Sequence, residues 1–84
     1  MFNKPSAAVV RVLNTLARGH IGFVNETDWP LLATVAAKAA RSGLVPPYVA
    51  VTVQTLANAS HVDRIEIAKC LMTIGERNVD NVEI

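Results

Sequence analysis

The 84-residue chain is 51% hydrophobic and 18% charged, which makes it one globular domain and excludes disorder as its overall state. A net charge of +1 excludes a strong global field toward nucleic acid or an acidic membrane. Cys70 is the single cysteine, so it has no intrachain disulfide partner and suits a reducing compartment.

The first predicted helix runs from about Lys4 to Arg18. Asn3 can cap it, and Pro5 falls in the first turn, where backbone N–H groups lack helical partners. Val9, Val12, Leu13 and Leu16 follow the i, i+3, i+4, i+7 spacing of one helix face, and Gly19 is placed to end the helix. A connector, His20 to Glu26, carries Ile21, Phe23 and Val24; it should pack down, with a short strand as one option.

The second helix starts near Thr27 or Asp28 and ends at Ser42-Gly43. Leu32, Val35, Ala36 and Ala39 form one stripe, while Leu31, Ala33, Ala37 and Ala40 fill much of the rest. A helix that is apolar nearly all round is normally buried on most sides. Its surplus is the main sign that a partner is needed.

The stretch after Pro46-Pro47 is ambiguous. Val49, Val51 and Val53 alternate as in a strand, whereas Val49, Thr52, Val53 and Leu56 fit a helix. The prolines at its start, its length and its LANA ending favour helix. The fourth helix begins at Ser60-His61-Val62-Asp63, which resembles a capping box. Ile67, Cys70, Leu71 and Ile74 form its predicted buried stripe, with Arg64, Glu66, Lys69 and Thr73 outside. Gly75 is read as the stop. The expected fold is thus mostly α, a bundle of four short helices in a single domain, with residues 76–84 an extended tail. An α+β fold is the alternative if residues 48–56 form a strand.

Charge is uneven along the chain. Residues 1–43 hold five basic and two acidic side chains, and residues 44–84 hold three basic and five acidic. The two halves can therefore attract each other within a chain or between copies.

No motif here carries catalytic, metal or cofactor chemistry. His61 and Cys70 lie nine positions apart, more than ~10 Å along one helix, whereas a nucleophile and its base must touch. His20 and His61 have no second ligand at metal spacing. Gly19-His20-Ile21-Gly22 lacks the Gly-Lys-Ser/Thr ending of a phosphate loop. The expectation is no enzyme, no cofactor, no metal and no small-molecule substrate.

The expected function is a small protein-interaction module. It would act as a homodimer, or as an adaptor or inhibitor bound to a larger complex, as small phage and plasmid proteins often do. Trp29, Val35, Ala36, Ala39, Val79, Val82 and Ile84 are its candidate interface. A helix-turn-helix DNA-binding regulator is the alternative, with Arg11, Arg18, Lys38, Arg41, Gln54 and Asn58 as candidate contacts. Against it, the third helix holds no Lys or Arg, although phosphate neutralisation supplies most binding energy. Cytoplasmic placement is expected, because no segment resembles a signal peptide or reaches the ~20 apolar residues of a membrane span.

Overall fold

The computed structural model describes residues 7–83, with side chains described as far as Gly75. Four α-helices follow one another: α1 (Ala7–Ala17), α2 (Trp29–Arg41), α3 (Pro47–Asn58) and α4 (His61–Glu83). A 3-10 turn, Glu26–Asp28, leads directly into α2. The fold is a compact, mostly α-helical bundle, with no strand among the described residues. Neither the connector nor residues 48–56 is a strand. Asn3, Lys4 and Pro5 lie outside the described residues.

Burial explains why residues 48–56 are helical. Val49, Ala50, Val53 and Leu56 are buried while Val51 is exposed. An alternating strand would have placed Val49, Val51 and Val53 on one face. Pro46 occupies the extended position before the helix and Pro47 its first turn, as fixed proline geometry allows.

The core gathers Leu13 and Leu16 of α1, Trp29, Ala36 and Ala39 of α2, Val45, and the inner face of α3. Alanines at 36 and 39 carry only a methyl group, so neighbouring helices can approach closely. The surplus on α2 is therefore largely absorbed within the chain. Val35, Leu32 and Ala40 are half-buried against the same core, and Leu31 is the large side chain of α2 left exposed.

Two helices end in the same way. Gly19 (φ +96°) and Gly43 (φ +76°) adopt the left-handed conformation that glycine tolerates. At the end of α1, the Gly19 N–H donates to Leu16 O and the His20 N–H to Thr15 O. At the end of α2, the Gly43 N–H donates to Ala40 O and the Leu44 N–H to Ala39 O. Both are Schellman terminations, which satisfy carbonyls that the helix itself leaves unpaired.

Gly75 behaves differently, and the expected extended tail at 76–84 is corrected. The helical backbone runs through Gly75 to Glu83, and Gly75 lacks the positive φ of the other two caps. A glycine within a helix costs about 1 kcal/mol relative to alanine, which weakens a helix without ending it. At 23 residues α4 is about 34 Å long at 1.5 Å per residue.

Three side chains of α4 also depart from expectation. Cys70 and Ile74, expected in the buried stripe, are exposed, and Arg64, expected outside, is buried. The inward face is Arg64, Ile67, Ala68 and Leu71, so the stripe is rotated toward the N-terminal arginine. Hydrophobicity alone misplaces it because the innermost residue of the first turns is charged.

Candidate functional site

Two contacts set the position of α4, and a groove results from them. The first is centred on Arg64, which is only 6% exposed. α3 has no glycine at its C-terminus to form a Schellman cap. The Arg64 guanidinium takes that place: Nε donates to Leu56 O and Nη2 to Ala59 O, both at 2.8 Å. A cation there also suits the negative end of the helix dipole.

The remaining donor, Nη1, reaches Glu26 Oε1 at 2.5 Å, tying α4 to the 3-10 turn. The guanidinium carbon stands 4.9 Å from the Trp29 ring centre, a cation–π distance. His61 Nδ1 lies 3.0 Å from Glu26 Oε2. Ser60 caps α4 by accepting a hydrogen bond from the Asp63 N–H at 3.2 Å, as the capping-box reading expects. Among the described residues no buried side-chain polar atom lacks a partner.

The hydrogen bond from Arg64, and secondly that with His61, holds the Glu26 carboxyl below its ordinary value of 4.5. A carboxyl with a lowered folded-state value binds fewer protons when folded than when unfolded. It therefore contributes stability above the unfolded value, and that contribution disappears as pH falls through the folded one. Thermal melts of wild type and Glu26→Gln from about pH 6 to about pH 3 check this. The wild-type curve should fall more steeply below 4.5. Parallel curves would remove Glu26 from the linkage.

The second contact is at Gly19, whose missing side chain lets the end of α1 touch α4. A Cβ there would meet the Ala68 carbonyl oxygen, with Met72 Cγ at 2.9 Å and Leu71 Cβ at 3.1 Å.

Beside this contact an open groove of about 350 Å³ runs between the connector and α4. Ile21, Phe23, Ile65, Ala68 and Met72 make it apolar, and His20 and Lys69 also line it. Phe23 is 59% exposed and Ile65 39%. Just beyond, at the start of α4, Val62 is 68% exposed.

The residues proposed from sequence separate into several places. Trp29, Ala36 and Ala39 are core residues of this chain, so the expectation that they meet a partner is corrected. The reason is that α2 packs against α3 within the chain and Arg64 of α4 lies over Trp29. Val35 is half-buried, and Val79, Val82 and Ile84 lie outside the described side chains. Arg41, Gln54 and Asn58 line one shallow α2–α3 groove with Ala33, Thr34 and Ala37. Arg11 on α1, Arg18 in the turn just after it and Lys38 on α2 are exposed elsewhere.

Sequence reasoning missed both Arg64 and the groove. A signal existed for the first: α3 ends without glycine, and an arginine follows eight residues after Leu56. The groove had none, because it joins residues 19–23 to residues 65–72 only after folding.

Among the described residues, no cluster of three or more His, Cys, Asp or Glu side chains is arranged to hold a metal. Nor is any helix among them long and apolar enough to cross a membrane. Comparison with known proteins gives no match to a family model, a curated protein or a solved structure.

Proposed function

We propose that this chain is a small, non-enzymatic protein-interaction module whose docking site is the groove between residues 19–23 and α4. The supporting observation is the open apolar lining, with Phe23 and Ile65 exposed beside an otherwise closed core. Contiguous apolar surface of this kind marks interaction sites more often than isolated exposed side chains do. The occupant is either a second copy, giving a homodimer, or a larger complex on which the chain acts as adaptor or inhibitor. This reading replaces α2 with α4 as the surface that needs a partner.

The DNA-binding alternative has one observation in its favour, the meeting of Arg41, Gln54 and Asn58 in a single groove. The exposed side of α3, including Tyr48, Val51, Gln54, Thr55 and Asn58, nevertheless offers no cation to phosphate.

Ile65→Asp tests the docking site. Affinity capture with the tagged wild type should retain a protein, either untagged copies of this chain or a host component. The folded Ile65→Asp variant should lose it. Equal capture by both would contradict the assignment of the groove.

A further inference from the structure

The outward face of α4 has a self-complementary layout. Val62, Ile65, Lys69 and Met72 follow one another at spacings of three, four and three, which is a seam along one side of a helix. The opposite side, with Arg64, Ile67, Ala68 and Leu71, packs on the chain's own core. Val62, Ile65 and Lys69 are exposed, and Met72 is half-buried. Glu66 borders the seam and is also exposed. Among the described residues neither Glu66 nor Lys69 has an ion-pair partner.

We propose that a second copy of this chain occupies the groove, its α4 lying antiparallel to the first about a two-fold axis level with Ile67 and Ala68. The proposal rests on the docking reading and names its partner. Charge selects both the occupant and the direction. About that axis Glu66 stands level with Lys69 of the second copy, and Lys69 with Glu66 of the second copy. Two opposite-charge pairs therefore form from one unpaired pair in each chain. A parallel arrangement in register would set Lys69 against Lys69 and Glu66 against Glu66, which repel.

The apolar positions agree with the same register. Val62 falls level with Met72 and Thr73 of the second copy, and the Lys69 stem lies across Ile65 of the second copy while its ammonium reaches the rim. Val62 to Met72 spans about 15 Å of helix, and Phe23 extends the contact at its edge. A two-fold axis repeats each contact and closes the assembly at two copies, the commonest form of self-association.

Sedimentation equilibrium of the full 84-residue chain between about 5 µM and about 500 µM tests the proposal. Three proteins are compared: wild type, Lys69→Glu, and Glu66→Lys combined with Lys69→Glu. Wild type should dimerise. Lys69→Glu sets like charges against each other twice and should raise the dimer Kd about tenfold or more. The double variant restores opposite pairs and should return to within about threefold of wild type. Both positions are exposed, so circular dichroism of the three proteins should show equal helicity.

Equal Kd values for wild type and Lys69→Glu would overturn the proposal, as would a double variant weaker than the single one. A monomer at every concentration overturns it too. If that monomer still captures a different protein in an Ile65-dependent way, the docking reading survives without the second copy. If its captures ignore Ile65, both fail.

Discussion

Arg64→Ala should lower the stability of this domain by about 2–4 kcal/mol, which in a chain of this size is a fall in Tm of roughly 10–30 °C. Arg64 is buried and satisfies three acceptors at once: Leu56 O, Ala59 O and Glu26. Alanine leaves the Ala59 carbonyl without its donor and the Leu56 carbonyl with only the Ala59 N–H at 3.3 Å, and an unsatisfied buried acceptor costs about 1–3 kcal/mol. Glu26 is half-exposed, so water can recover much of its solvation and it adds little. Loss of the Trp29 contact adds roughly 0.5–2 kcal/mol.

Arg64→Lys is the informative control. A single ammonium on a flexible stem does not reproduce the planar fork that serves three acceptors in different directions. It should recover less than half of the loss. Differential scanning calorimetry of the three proteins measures this. A fall of less than about 3 °C for alanine would show that α3 ends without help from Arg64.

Gly19→Ala should be nearly as damaging, at about 2–4 kcal/mol, and it has an internal standard. The left-handed conformation alone costs an L-residue about 1–2 kcal/mol. Gly43 carries that cost and no other, because nothing lies within 4 Å of a Cβ built there. At Gly19 the new methyl also collides with the backbone carbonyl of Ala68 and crowds Leu71 and Met72. A carbonyl fixed in a helix does not turn aside as a side-chain tip does, so α4 must move.

Gly43→Ala should therefore lower the Tm by roughly 4–12 °C, and Gly19→Ala by at least about 5 °C more. The difference reports the contact between α1 and α4. Urea unfolding of both variants checks it, and equal losses would mean that α4 does not rest on Gly19.

These two residues show what the sequence discloses and what it conceals. The helices, their glycine ends and the Ser60 cap all depend on neighbours within a few positions, so spacing and residue type reveal them. Residues 48–56 are harder, because Val49, Val51 and Val53 satisfy two periods at once. The flanking prolines, the length and the LANA ending favour helix, and the buried Ala50 with the exposed Val51 fits helix and not strand. The continuation of α4 past residue 75 is not legible, because a glycine looks the same in sequence whether its φ is positive or helical.

The partner surface was the least legible. An alanine-rich helix looks over-apolar when read alone. Small residues also permit the close packing of α2 and α3 that hides them, which a single-helix pattern does not show. Arg64 illustrates the converse, since a charged residue is read as surface unless its acceptors are known. Here those acceptors lie on α3 and in the 3-10 turn. The docking groove is less local still, drawing Phe23 and Ile65 together across more than forty residues of chain.

The claim that a second copy docks on the outward face of α4, and not on α2, is tested most directly by a dilution series. Amide resonances of the isotope-labelled chain are followed by nuclear magnetic resonance from about 1 mM to about 10 µM. The expected result is that shifts change at residues 19–23 and 62–73 and stay constant in α2 and α3. Spectra that do not change with concentration, or changes concentrated on α2 and α3, would contradict it.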